Sequence, residues 1–360
     1  MEIDKYLMGY GVFFIALLAF NLLINSILLK FATNLGIRNY GENVVRWTLQ
    51  TKPSLGGFGF YIAFLISLVF YMIFEGNAEI FVRKEFLGVL AVCSLGFLMG
   101  LADDAYNTKP FLKFFVQFLC GIILVFTGNS IQITPWEGFN IFITFFWTVG
   151  MMNSLNMLDN MDAITGIVSL MIAVTGFFYL LLTGHFVSFD TVMLLGLTAA
   201  LLAFLYYNWH PSKMYMGDSG SQFLGVFMAV MGIRLFWNGA DSHQQIIQTK
   251  QFLSLILVFV VPIADTTTVF INRIAAGKSP FVGGKDHTTH HLAYHGLSQR
   301  HVALVLAAIT LFSGLLMLFF IQQSDDWGYT EVALFALYYL IVTVALYLTT
   351  RIKPRHGAGN

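Results

Sequence analysis

The chain has 360 residues, of which 57% are hydrophobic and only 11% charged, and its mean hydropathy is +0.74. Such a composition excludes an ordinary soluble globular domain. Nineteen basic and nineteen acidic side chains cancel, which leaves no electrostatic case for a nucleic-acid partner, and Cys93 and Cys120, both inside apolar runs, exclude a secreted disulfide scaffold.

Apolar stretches of spanning or near-spanning length run in chain order through residues 10–29, 56–74, 86–101, 111–127, 140–157, 163–183, 190–207, 220–237, 252–272, 302–321 and 331–350. The first is read as a retained helix rather than a signal peptide. Glu2 and Asp4 precede it, and Asn21, Asn25 and Lys30 close it without a small-residue cleavage site. The expectation is an all-α integral membrane protein, a single-domain bundle of about 11 transmembrane helices over residues 1–360. Alternate connections then divide the lysines and arginines fourteen (Lys30, Arg38, Arg46, Lys52, Lys109, Lys113, Lys213, Arg273, Lys278, Lys285, Arg300, Arg351, Lys353, Arg355) against five (Lys5, Arg83, Lys84, Arg234, Lys250). Cytoplasmic loops carry the excess of positive charge, so the amino terminus is expected outside and the carboxyl terminus in the cytoplasm.

The carboxylates Asp103, Asp104, Asp159, Asp162 and Asp218 fall where apolar runs end, all on the expected cytoplasmic side. Carboxylates are costly in lipid, so their grouping there marks polar chemistry beside the membrane rather than within it. Asp103 and Asp104 follow Gly96–Leu101. Neighbours on a helix point about 100° apart, so one can meet a metal or phosphate while the other binds a cation or backbone; a solvated helix end is the plainer reading. Asn153, Asn156, Asp159 and Asp162 recur every three residues and on a helix would form one polar stripe, suited to a ligand or to interhelical contact. In Asn208-Trp-His-Pro211-Ser-Lys-Met-Tyr215-Met-Gly217-Asp218-Ser-Gly220-Ser221, Pro211 ends one helix. Gly217 and Gly220 bracket Asp218 where backbone can approach phosphate oxygens, and Asp218 is the expected metal ligand. The connection Lys285-Asp286-His287-Thr-Thr-His290-His291 reads as a zinc site, a solvated or pH-sensing loop, or phosphate-binding donors, the last favoured by the hard-oxygen character of the nearby acids. Asp265, inside an apolar run, reads as a structural hydrogen-bonding group first and a catalytic one second.

Taken together, Asp103-Asp104, Asn156-x-x-Asp159-x-x-Asp162, Asn208 through Met216-Gly217-Asp218-x-Gly220, and His290-His291-Leu resemble the polyprenyl-phosphate N-acetylhexosamine-1-phosphate transferase family. Pro53-Ser-Leu-Gly56-Gly57 and Lys113-x-x-x-Gln117 add looser matches, and the likeness spans roughly residues 50–300. It is strongest to the branch that moves N-acetylglucosamine 1-phosphate from UDP-N-acetylglucosamine onto undecaprenyl phosphate, releasing UMP. Thr289 stands before His290 and His291 where the phospho-N-acetylmuramoyl-pentapeptide branch has a third histidine. Asn160 and Ala163 occupy positions where many members have glycine.

The resemblance implies a bacterial inner-membrane enzyme with its site facing the cytoplasm and a role in cell-envelope polysaccharide synthesis. It implies Mg²⁺, with Mn²⁺ as a substitute, held by Asp218 and Asp103, and catalytic roles for Asp103, Asp104, Asp159 and Asp162. Substrate contacts are implied for Asn156, Asn208, Tyr215, His290, His291 and Lys113. The implied partners are a polyprenyl phosphate lipid, a UDP-N-acetylhexosamine and a second copy in a homodimer. The rival readings are the pentapeptide-sugar transferase or a relative using another UDP-N-acetylhexosamine, a secondary transporter, and a catalytically silent membrane scaffold. The gathering of acids at one face and the absence of a visible repeat count against the transporter.

Overall fold

A computed structural model describes residues 2–35, 52–76, 82–240, 246–279, 284, 286–322 and 327–352. Arg38, Arg46, Lys285, Lys353 and Arg355, which entered the charge count, lie outside them. The described residues form thirteen α-helices. In chain order these are α1 (Glu2–Leu35), α2 (Gly56–Glu75), α3 (Lys84–Tyr106), α4 (Pro110–Phe126), α5 (Glu137–Leu158), α6 (Ile164–Leu182) and α7 (Phe189–Asn208). There follow α8 (Gly217–Met231), continued by a π-helical turn Gly232–Trp237, then α9 (Gln248–Val258), α10 (Val260–Ala275), α11 (Thr288–Tyr294), α12 (Gln299–Gln322) and α13 (Tyr329–Thr349).

Each of the eleven expected spans coincides with helix. Nine helices among the described residues are long and apolar enough to cross a membrane unaided, and α9 with α10 makes a tenth only as a pair bent by 77°. The chain is therefore a multi-pass membrane protein. The bend corrects the expectation of one straight span over 252–272, and Pro262 in the first turn of α10 accounts for it: proline has no N–H to give the preceding turn, and its ring clashes with that turn's carbonyl. The remaining segment, α4, has 17 residues, about 26 Å at 1.5 Å per residue, slightly less than a typical hydrocarbon thickness.

Depth in the bundle varies sharply. In α8 and its π-helical extension 94% of the spanning window is buried, against 6% in α13, so α8 is the central post and α13 lies at the lipid-facing edge. α3 reaches α8 closely because Gly100 has no side chain: a Cβ there would lie 2.1 Å from the carbonyl oxygen of Asp218. Trp147 of α5 donates to the Ala229 carbonyl of α8 at 3.0 Å, which fixes a third helix on the post.

The two ends of the bundle differ. One carries Arg234 paired with Asp190 through Nε at 2.6 Å, and Asn238 bridging the backbone of Ser130 and Gln132. These groups close the connectors at that end. The other end collects the last turns of α3, α5 and α7, the first turns of α4 and α8, and α11.

Candidate active site

Helix α3 runs past the predicted apolar stretch to Tyr106, which puts both adjacent acids in its last turns. They divide their work. Asp104 accepts the backbone N–H of Asp218 through Oδ1 and that of Ser219 through Oδ2, both at 2.9 Å, so it caps α8 from another helix and its charge faces the positive end of that helix. The amides expected to approach phosphate are thus given to a carboxylate. Gly217, at φ +74°, makes the turn that exposes them.

Asp103 turns the other way. Its Oδ1 accepts from the Thr108 backbone N–H at 2.8 Å and hydroxyl at 2.6 Å, and its Oδ2 is paired with the ammonium of Lys113 from the first turn of α4. The same ammonium stands 3.8 Å from Asp218 Oδ2, while Asp218 Oδ1 accepts the Asn156 amide at 2.5 Å. The consecutive helices α3 and α4 and the distant α8 therefore bring two carboxylates to one cation. Asn156 also donates to Ser221 at 2.8 Å.

The continuous polar stripe from Asn153 to Asp162 is corrected. α5 stops at Leu158, Asp159 is already non-helical at ψ 54°, and only Asn153 and Asn156 share a helical face. Asn153 exchanges amide hydrogen bonds with Gln117 of α4, one of them at 2.7 Å, so it joins α4 to α5. Asp162 is buried and accepts from His210 Nδ1 at 2.8 Å and from the Ser212 N–H and hydroxyl at 3.0 and 2.8 Å. It holds the connection before α8. Asn208 does likewise: it accepts from the Ala163 N–H at 2.9 Å and donates to the Met214 carbonyl at 2.7 Å.

These elements surround a cavity of about 990 Å³. Its polar walls include Asp104, Lys113, Asn156, Asp159, Asp162, Tyr215, Asp218 and His290, so most of the expected site residues meet there. Asp103, paired with the lining residue Lys113, Asn208 and His291 are not among the lining residues. Tyr215 carries the Lys52 ammonium over its ring at 5.2 Å. A second wall is apolar: Phe114 and Phe118 from α4, Phe142, Phe145, Phe146 and Val149 from α5, and Phe270 from α10.

Two further groups line the cavity: His287, read in the sequence only as one of the donors of the histidine-rich connection, and Arg273, which the sequence does not single out. The buried carboxylate of Asp265 accepts from His287 Nδ1 at 2.9 Å and caps α11 through the Thr288 N–H at 2.9 Å and its hydroxyl at 2.5 Å. That places Nε2 as the ring nitrogen left for the cavity. The signal was Asp265 itself, whose buried charge required a partner. Arg273 forks onto Asp286 through two bonds of 2.7 Å. Burial pushes the Asp286 carboxyl up, but the hydrogen-bonded charge of Arg273, with His287 nearby, outweighs it and holds Asp286 below the usual carboxylate range. Burial above all, reinforced by His287, lowers His290 to about 4, and His291 is lowered for the same first reason with His295 beside it. Both imidazoles are neutral donors and acceptors near pH 7.

Among the described residues no three of His, Cys, Asp and Glu converge as a metal cage; His287 is committed to Asp265, and His295 to the Thr349 carbonyl at 2.8 Å. A hard divalent ion needs less. Mg²⁺ in phosphate chemistry is held by one or two carboxylates with substrate phosphates and water completing its shell. Asp103 and Asp218, each turning one oxygen to a shared ammonium, fit that requirement.

Residues 86–236 match the family model described as glycosyl transferase family 4. The chain is 26% identical over 316 residues, 85% of its length and 84% of the relative's, to a probable undecaprenyl-phosphate N-acetylglucosaminyl 1-phosphate transferase of Bacillus subtilis. It is 27% identical over 281 residues, 72% of its length and 69% of the relative's, to a decaprenyl-phosphate N-acetylglucosaminephosphotransferase of Mycolicibacterium smegmatis. A phospho-N-acetylmuramoyl-pentapeptide-transferase of Staphylococcus carnosus is 27% identical over 297 residues, 73% of this chain and 83% of that one. Family model and curated relatives alike agree with the resemblance read in the motifs, and the chain is similar to the polyprenyl-phosphate N-acetylhexosamine-1-phosphate transferases.

Proposed function

We propose that the protein transfers N-acetylglucosamine 1-phosphate from UDP-N-acetylglucosamine to undecaprenyl phosphate, releasing UMP, at the cytoplasmic face of a bacterial inner membrane. The observation that carries this reading is the two-natured cavity: acids, Lys113, Arg273 and His287 at one end are continuous with a phenylalanine wall between α4, α5 and α10. A charged head on a long hydrocarbon tail fits such a space, and a soluble phosphate acceptor would leave the aromatic wall unused. The excess of basic residues on the connections at the site's end supports the cytoplasmic assignment.

The reaction joins two anions, so the barrier is charge repulsion at the diphosphate. The acceptor phosphate attacks the β-phosphorus of the nucleotide sugar, the new P–O bond forms as the bond to the UMP oxygen breaks, and UMP leaves with the electron pair. Near neutral pH a phosphate monoester, with a second pKa of about 6, is already mostly dianion, and no strong base is required of the protein. Asp104 positions Asp218 by capping α8. Lys113 and Arg273 offer positive charge to the phosphates, and His287 and His290 offer ring-nitrogen hydrogen bonds to phosphate or sugar. Asn156 and Asp159 line the donor side, where the Tyr215 ring offers a face for uracil. Mg²⁺ held by Asp218 and Asp103 would supply Lewis-acid stabilisation of the diphosphate oxygens.

The test is a donor panel. Purified protein with undecaprenyl phosphate and Mg²⁺ is given UDP-N-acetylglucosamine, UDP-N-acetylgalactosamine or UDP-N-acetylmuramoyl-pentapeptide separately, and UMP is measured. UMP from the first donor is expected. Release from the pentapeptide donor alone would move the protein to the other branch, and solute flux without UMP from any donor would make it a transporter.

A further inference from the structure

We infer that Lys113 is the resting counter-ion of the divalent-cation position: its ammonium holds Asp103 and Asp218 until the ion takes its place and the side chain moves toward the cavity. The inference rests on the proposed transferase only for the ion's use; the exchange itself follows from how these side chains are arranged. Each carboxylate has one oxygen pinned by uncharged donors, Asp103 Oδ1 by Thr108 at 2.8 and 2.6 Å and Asp218 Oδ1 by Asn156 at 2.5 Å. Each turns its other oxygen to the same nitrogen. That is the arrangement of a bidentate cation site built before the cation arrives, with an ammonium in it.

The charges argue for exchange rather than a permanent pair. One ammonium offsets one of two facing carboxylates, and the neighbouring Asp104 adds negative charge, so the cluster stays short of positive charge. A divalent ion supplies what is missing. Lys113 is also suited to leave: it is a compact charge on a flexible four-carbon stem, its side chain is 25% exposed, and it already lines the cavity where an acceptor phosphate would lie. The same residue can then offset the carboxylates in the resting enzyme and an incoming phosphate in the loaded one. A purely structural ion pair would need neither this exposure nor a second carboxylate.

Mn²⁺ binding to the full-length protein, followed by electron paramagnetic resonance with no nucleotide or lipid present, tests the exchange. Lys113→Gln is expected to bind Mn²⁺ at least about tenfold more tightly than wild type, because no ammonium competes for the two oxygens, whereas Lys113→Arg stays near wild type. Equal or weaker binding by Lys113→Gln, or no binding by any of the three proteins, overturns the inference. Should Lys113→Gln fail to fold, a structure of Mn²⁺-soaked wild type decides. Anomalous density between Asp103 and Asp218 with the lysine nitrogen displaced supports exchange, and a lysine nitrogen still between the carboxylates refutes it. Because no substrate is added, failure here leaves the donor panel untouched, and failure of the donor panel leaves this result standing.

Discussion

Asp103 and Asp104 are neighbours with opposite assignments, one meeting an ammonium and the other two backbone amides. This division was legible from helical geometry, since adjacent side chains cannot converge. The fate of Asn208 was not: an amide in a motif looks the same whether its hydrogen bonds go to a ligand or to the chain. Here both go to the chain, at Ala163 and Met214. Asn208→Ala should lower stability by about 2–4 kcal/mol, because it leaves a buried N–H and a buried carbonyl without partners. Thermal unfolding in detergent checks the loss, and donor KM in the folded fraction should be unchanged. A raised KM with intact stability would return Asn208 to the nucleotide. Ala163 adds a second test at this scale. It sits at φ +66°, a left-handed conformation that a glycine adopts without the Cβ penalty an alanine pays. Ala163→Gly should be tolerated within about 1 kcal/mol, while the β-branched Ala163→Val should cost roughly 2–3 kcal/mol from strain and crowding. Denaturation midpoints of the two variants measure this, and equal midpoints would contradict it.

Among the elements, apolar run length located every spanning helix, and what it could not locate were the breaks. Pro262 bends the span of α9 and α10 by 77°, and α5 ends four residues before Asp162, although period-three spacing of polar residues runs through the break. Spacing reports a helix only while the backbone remains one. The short helix α11 was read as loop because its order comes from outside, from Asp265 capping it and from Thr289 donating to Asn160 at 2.8 Å. Its histidines set a pH dependence. His290 binds its proton near 6.5 when unfolded but only at about 4 in the folded site. Between those values the unfolded chain takes up a proton that the folded site refuses, so stability is complete above about pH 6.5 and falls as the pH drops toward 4. Melting temperatures across pH 4–8 should show this decline, and His290→Gln should flatten part of it. An identical profile in the variant would remove His290 as its source.

At the scale of the whole molecule, the site exists only because α3, α4, α5, α8 and the α10–α11 connection end at the same face of the bundle. The motifs gave the cast of residues and the alternation of spans gave the shared face. Neither gave the cavity, since a composition rich in phenylalanine does not say which rings stand together; the wall of Phe114, Phe118, Phe142, Phe145, Phe146 and Phe270 is a property of packing. The central claim is that this one space brings a lipid phosphate and a sugar nucleotide to Asp218. The direct measurement is a single assay with labelled UDP-N-acetylglucosamine, undecaprenyl phosphate and Mg²⁺, comparing wild type with Asp218→Asn at matched protein levels. The account predicts lipid-linked diphosphate sugar and UMP in equal amounts from wild type, none without the lipid, and product reduced by about a thousandfold or more in the variant. Product formation by Asp218→Asn at a rate near wild type would contradict it.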